Sequence, residues 1–180
     1  MKESDSKLLV IDADVACSSS ETIKDDPVST LCQDFLEQVK KICHKAIKTD
    51  EIQKEWSNHE SRYFRKWSVR MTKGIMKIFE PNPKKIRSVK ALKLGSRVEK
   101  LVKSPKEKEA ILKDLHLIEA ALATDQIVIS RDDTTAGLLK KYQDQIPEFQ
   151  KIIWLNPTKN PEAVIKWLEA GANPQDAPNQ

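Results

Sequence analysis

Long apolar stretches are what this sequence most clearly lacks. No run approaches the roughly 20 residues a helix needs to span a bilayer. The amino-terminal residues are polar, so neither a membrane span nor a secretory signal is expected. Cysteine is scarce as well: Cys17, Cys32 and Cys43 are odd in number and form no C-x-x-C pair. That argues against a structural zinc motif and a disulfide framework. The three read as free thiols, packed as small hydrophobes in a reducing compartment, which makes the expected location cytoplasmic. There is no internal repeat. What is present is enough apolar material for a core, four Trp and four Phe among many Leu, Ile and Val. A chain of 180 residues has room for one domain with a genuine core and not for two comfortable ones.

The net charge of +4 conceals a strong asymmetry. Residues 1–60 balance at −5, residues 61–113 at +13 and residues 114–180 at −4. A basic middle between acidic flanks is the pattern of a polyanion-binding surface set beside a cation-binding site.

Lys7–Asp12 (KLLVID) is a short apolar run ending in an acid, the signature of a buried parallel strand. Asp14 to Pro27 reads as loop. Leu31, Phe35, Leu36, Val39, Ile42 and Cys43 share one helical face. His44–Lys48 is a short second strand, and Thr49 or Asp50 then caps a helix with the stripe Ile52, Trp56, His59, Tyr63 and Trp67. Val69 to Phe79 is expected to be helical until Pro81-Asn82-Pro83 breaks it. Lys84 to Val102, interrupted by Gly95, gives one or two short helices. Ser104-Pro105 begins a helix running to about Ala123. Gln126–Ser130 (QIVIS) and Lys151–Leu155 (KIIWL) are strands, separated by a helix from about Thr134 to Tyr142. A last helix, Pro161–Ala170, precedes an Asn/Pro/Gln-rich tail, residues 171–180, expected to be disordered. Strands separated by helices imply an α/β fold, a single domain over residues 1–170 with a mostly parallel sheet between two helical layers.

In such sheets the functional crevice lies at the carboxyl ends of the strands. Asp12 and Asp132 follow two of the three clearest strands. Asp114 opens the helical stretch leading into QIVIS and shares a face with Ile111, Leu115 and Ile118, and Glu55 lies beside Ile52 and Trp56. Carboxylates converging without a basic partner repel one another, and a hard divalent cation, Mg2+ or Mn2+, relieves that repulsion through oxygen ligands. Against this stands the frequency with which Asp caps helices and favours turns.

The segments VIDADV (10–15), EIQKEW (51–56), KDLHLIEAALATDQIVISRDD (113–133) and KIIWLNP (151–157) together resemble the PIN-domain nucleases. The resemblance covers about two thirds of the chain and weakens over residues 61–106. It places the family's four acids at Asp12, Glu55, Asp114 and Asp132, the last in the pattern Ser130-Arg131-Asp132. It implies a three-layer α/β/α sandwich, one or two Mg2+ or Mn2+ ions and hydrolysis of RNA or DNA phosphodiester bonds. It also implies control of a toxin- or defence-like activity by an inhibitor protein or an assembly, with self-association common in the family. Two departures stand out. Asp14 occupies a position where the family usually has Asn, Ser or Thr, and it becomes a further candidate ligand. Glu51, one turn before Glu55, is a rival for its role. Asp133 is an auxiliary ligand or, better, a helix N-cap.

Arg62, Arg65, Lys66, Arg70, Lys73 and Lys77 recur about one helical turn apart, and Lys84, Lys85, Arg87, Lys90, Lys93 and Arg97 continue the charge. These cations are the expected nucleic-acid contacts, while Phe64 and Trp67 belong to the core. His44, His59 and His116 are expected in surface or core roles and not in catalysis, His59 falling on the apolar stripe. A haloacid-dehalogenase-like phosphatase is the enzymatic alternative, because Asp12-x-Asp14 and Asp132-Asp133 echo its acidic motifs, although Ala16 stands where that superfamily usually has Thr. A non-catalytic PIN-like binding module is the other.

Overall fold

The computed structural model describes residues 6–20, 26–73 and 78–178. Five strands form one sheet: β1 (Leu8–Ile11), β2 (Lys45–Ile47), β3 (Ile78–Phe79), β4 (Ile127–Ile129) and β5 (Ile153–Leu155). Every adjacent pair is parallel and the spatial order is β3-β2-β1-β4-β5. Leu9, Val10, Ile11, Ile127, Val128 and Ile129 are fully buried, as expected of central strands covered on both faces.

The helices α1 (Ala13–Ser18) and α2 (Pro27–Ile42) connect β1 to β2, and α3 (Asp50–His59) and α4 (Arg62–Lys73) connect β2 to β3. Between β3 and β4 run α5 (Pro83–Lys90), α6 (Leu94–Leu101), α7 (Pro105–Lys113) and α8 (Leu115–Leu122). α9 (Asp133–Tyr142) links β4 to β5, and α10 (Pro161–Glu169) follows β5. The chain steps outward from β1 in one direction, then returns to the other side of β1. Right-handed crossovers then assign α2 and α4 to one face and α7 and α9 to the other. The packing agrees, since α2 meets α4 and α10 while α7 meets α9. This architecture is compatible with a three-layer α/β/α sandwich.

Several local expectations are corrected. Residues 13–18 are helix, not loop, because the Asp12 side chain caps α1 and buries Ala13, Val15 and Ala16 beneath it. The stripe expected from Ile52 to Trp67 belongs to two helices. At the junction the Ser61 amide donates to the Ala16 carbonyl at 3.1 Å and the Ser61 hydroxyl accepts the Phe64 amide at 3.0 Å, so a tertiary contact with α1 ends one helix and starts the next. His59 is thereby exposed. Of the helix expected over 69–79, the described residues up to Lys73 belong to α4, whereas Ile78–Phe79 form an edge strand. Lys77 lies outside the described residues, as do residues 21–25 of the expected loop. Gly95 does not interrupt a helix: it lies inside α6, where a Cβ would stand 3.1 Å from Leu115 Cδ2. The helix expected over 105–123 is broken at Asp114 (φ −96°, ψ 9°).

Cys32 is buried as expected and its thiol is pushed up to about 12 by burial, but Cys17 and Cys43 are exposed. In the tail, Pro174–Asp176 form a 3-10 turn and Trp167 Nε1 donates to the Asn173 carbonyl at 2.8 Å, so the tail is tied to α10 at Asn173. His44 is structural: it accepts from the Lys7 amide through Nδ1 at 3.0 Å and donates through Nε2 to the Leu168 carbonyl at 2.9 Å. Among the described residues no helix is long and apolar enough to cross a membrane.

Candidate functional site

The strand order reverses between β1 and β4, and the crevice outside the carboxyl ends of those two strands is where open parallel sheets bind ligands. Asp12 follows β1 directly, its amide still in the ladder with the Ile129 carbonyl at 2.9 Å. Ser130, Arg131 and Asp132 follow β4. The Ser130 hydroxyl sits between the two ends: it donates to Asp12 Oδ2 at 2.7 Å and accepts the Asp132 amide at 3.0 Å. Asp14, in the first turn of α1, accepts the Arg131 amide at 2.8 Å through Oδ2.

Asp114 reaches the same edge from the α7–α8 break. It is only 3% exposed and accepts from Thr135 Oγ1 at 2.7 Å. The Thr135 amide in turn donates to Asp132 Oδ1 at 3.0 Å, and the Thr134 amide donates to the same oxygen at 2.8 Å. Asp132, not Asp133, is therefore the N-cap of α9. Asp133 is the first residue of that helix, held by Lys159 at 3.0 Å and Asn156 at 3.2 Å. Ser130 and Thr135 thus stitch Asp12, Asp14, Asp114 and Asp132 into one hydrogen-bonded edge.

The electrostatics show that these carboxyls feel one another. Burial raises the Asp114 carboxyl above its ordinary value, with the charges of Asp12 and Asp132 adding to the rise and the Thr135 hydrogen bond opposing it. Burial also pushes Asp14 up to about 7, reinforced by the charge of Asp12 and opposed by the amide and guanidinium of Arg131. Arg131 reaches back to donate to the Ser18 hydroxyl.

Glu55 enters from α3. The next residue, Trp56, donates through Nε1 to the Ile11 carbonyl at 2.9 Å, fixing α3 against the end of β1. The Glu55 side chain, 38% exposed, meets His116 Nε2 at 3.0 Å, and the other ring nitrogen of His116 faces the Lys113 carbonyl at 3.2 Å. Glu51 points elsewhere, toward Lys90 at 3.6 Å. Of the two rivals, Glu55 is the one tied to the neighbourhood of Asp114. His116, Ser130, Thr135 and Arg131 are the site residues to which sequence reasoning gave no functional role.

No family model, no curated protein and no solved structure matches the chain. The site has only its own chemistry to speak for it. Among the described residues, no three His, Cys, Asp or Glu side chains come close enough together to hold a metal ion. The hydrogen bonds supply the reason. Asp132 is turned to its cap, Asp114 to Thr135, Asp12 to Ser130 and Glu55 to His116. The donor set nonetheless suits a hard cation. It is all oxygen, its members repel, and Asp14 Oδ1 is buried without a hydrogen-bond partner among the described residues.

The basic residues are divided between two elements. Arg62, Arg65, Lys66, Arg70 and Lys73 are exposed on α4, whose opposite face buries Phe64, Trp67 and Met71. Lys84, Lys85, Arg87 and Lys90 are exposed on α5. Some of this charge is offset locally: Arg65 by Glu60 at 2.8 Å, Lys90 by Glu51 at 3.6 Å and Arg97 by Glu148 at 2.8 Å.

Proposed function

We propose that the chain is a PIN-like nuclease that hydrolyses phosphodiester bonds of RNA or DNA with Mg2+ or Mn2+. The observation that carries this reading is the edge formed by Asp12, Asp14, Asp114 and Asp132 at the strand-order reversal, where burial, reinforced by neighbouring carboxylate charge, raises the proton affinity of Asp14 and Asp114. Asp12, Asp114, Asp132 and Glu55, with Asp14 as a further donor, would hold the ion once their side chains turn from their present partners. A bound ion activates water and neutralises charge developing on phosphate. The chain's own residues do the rest. Ser130 orients Asp12 through its hydroxyl, Thr135 orients Asp114, and His116 holds Glu55 on the α8 side. Exposed cations on α4 and α5 bind the phosphates of the strand largely without regard to its sequence. A free nuclease endangers its host, so an inhibitor protein or a controlling assembly belongs to this reading.

One observation favours the haloacid-dehalogenase-like alternative: Asp14, two residues beyond Asp12, has its carboxyl at about 7 and is suited to carry a proton near neutrality. A non-catalytic PIN-like module would instead retain the basic surface and bind without cutting. Incubation of single-stranded RNA, single-stranded DNA and duplex DNA with Mn2+, Mg2+ or chelator separates the three. Metal-dependent polymer cleavage that Asp12→Asn and Asp132→Asn abolish is the expected result. Hydrolysis of a small phosphomonoester with no polymer cleavage would favour the phosphatase, and salt-sensitive binding alone would favour the module.

A further inference from the structure

A cleft of about 380 Å3 lies between α3, α5 and α8, beside the acidic edge. Lys48, just after β2, and Glu80 and Pro81, just after β3, place it at the carboxyl ends of those strands. Pro83 and Ile86 contribute apolar surface, with Pro81 and Ala120 buried behind them. His116 belongs to both places: it lines the cleft and bonds Glu55.

The charged side chains in this cleft are not equivalent. Lys48 is paired with Glu80 at 3.6 Å and Lys90 with Glu51 at 3.6 Å, and Arg87 Nε donates to the Pro83 carbonyl at 3.4 Å. Glu119, one turn beyond His116 on α8, has no hydrogen-bond or ion-pair partner for its side chain among the described residues, although it is partly buried. Burial raises its carboxyl above the ordinary value, against the pull of Lys90. A half-buried carboxylate that has given up part of its hydration and gained no donor from the protein can accept N–H groups from a ligand in the cleft.

We propose that this cleft takes one unpaired guanine base of a single-stranded nucleic acid, with Glu119 accepting its N1–H and N2–H donors. A carboxylate presents two parallel acceptors. Guanine is the base whose pairing edge presents two adjacent donors, whereas adenine and cytosine set one amino group beside an acceptor nitrogen, and uracil sets one N–H between two carbonyls. In a duplex those donors are taken by cytosine, so the base must be unpaired. The apolar surface from Pro83 and Ile86 suits the ring faces, and Arg87 and Lys90 at the same cleft suit the flanking phosphates. The inference rests on the nucleic-acid binding of the proposed function and not on its chemistry, because recognition needs no catalysis.

Fluorescence anisotropy in chelator tests it, with labelled oligouridine carrying one central guanosine, the same strand with inosine, the all-uridine strand and the DNA counterparts. The guanosine strand is expected to bind roughly tenfold tighter than the all-uridine strand, with inosine in between because it lacks the amino group. Glu119→Gln should bring that ratio close to one. Glu119→Asp, which withdraws the carboxylate by one methylene, should remove most of it and serves if the first variant does not fold. Equal binding of all strands by the unaltered protein, or a guanine preference that survives in a folded Glu119 variant, overturns the proposal. Guanine-selective binding without any Mn2+-dependent cleavage supports the proposal and sinks the nuclease reading alone. Cleavage indifferent to guanine, with equal binding of all strands, does the reverse.

Discussion

At the scale of single residues, the acidic edge makes the protein's stability depend on pH in an unusual direction. The Asp14 carboxyl is held at about 7 in the folded chain against 3.8 for an unperturbed aspartate. Between these values the folded state binds more protons than the unfolded state, so stability falls as pH rises through this window. Asp14→Asn keeps an oxygen for the Arg131 amide and removes the charge. In chelator at pH 8 the variant should be more stable than the parent by an amount on the order of a few kcal/mol at most, and so should melt at a higher temperature. The difference should vanish as pH falls below the unperturbed aspartate value. A thermal melt series from pH 3.5 to 8 checks it, and an equal melting difference at all pH values would mean that the carboxyl is not strained by burial and Asp12.

Asp132 separates two roles that a single substitution would confuse. Its Oδ1 caps α9 by accepting the Thr134 and Thr135 amides, the commonplace use of Asp at such a position. Asp132→Asn retains the acceptor and removes the charge, while Asp132→Ala removes both. The alanine variant is expected to lose about 1 kcal/mol of stability and the asparagine variant much less. Metal-dependent cleavage should disappear in both. Full cleavage by Asp132→Asn, measured beside unfolding in urea, would reduce this residue to a cap.

At the scale of elements, what the sequence revealed depended on whether local signals were sufficient. β1 and β4 were legible because an apolar run followed by Asp is visible in six residues, and the Asp12–Asp132 pairing of strand ends followed from the parallel topology. The cap of α3 was narrowed to Thr49 or Asp50, and the Thr49 hydroxyl is the one that accepts the Ile52 amide. The α3–α4 junction was not, because a tertiary hydrogen bond from Ser61 to Ala16 decides it and the apolar stripe runs across it undisturbed. β3 was missed for a different reason: its two residues carry no periodicity, and only pairing with β2 makes them a strand. His116 was assigned no functional role because its partner Glu55 lies 61 positions away on a helix whose packing on α8 no local pattern encodes. Trp56 shows how much the site depends on such packing. It is 2% exposed and its indole N–H donates to the carbonyl of the residue preceding Asp12. Trp56→Phe leaves that buried carbonyl without its donor, which should cost about 1–3 kcal/mol. It should also lower cleavage beyond what the stability loss explains, as a comparison of turnover and urea midpoints would show. Unchanged turnover in the variant would detach α3 from the positioning of Asp12.

For the whole molecule, the relevant property is the separation of opposite charges along the chain. The acids gather at the β1–β4 edge, and the excess of Lys and Arg lies on α4 and α5 between β2 and β4 in sequence. A strand held by the cations would release condensed counterions, and affinity would then fall with the logarithm of salt concentration, by a slope of about −0.7 for each phosphate neutralised on single strands. Replacing Arg62, Arg65 and Arg70 with Gln removes three exposed charges from one face of α4 while leaving Phe64, Trp67 and Met71 in the core. The triple variant should retain its melting temperature, bind single strands more weakly at low salt and show a slope shallower by roughly 2 if these residues contact phosphate. Its guanine preference should persist if, as proposed, the charges on α4 meet backbone and Glu119 meets a base edge. An unchanged slope would move the phosphate path to the other basic element, α5, where Arg87 and Lys90 already line the cleft.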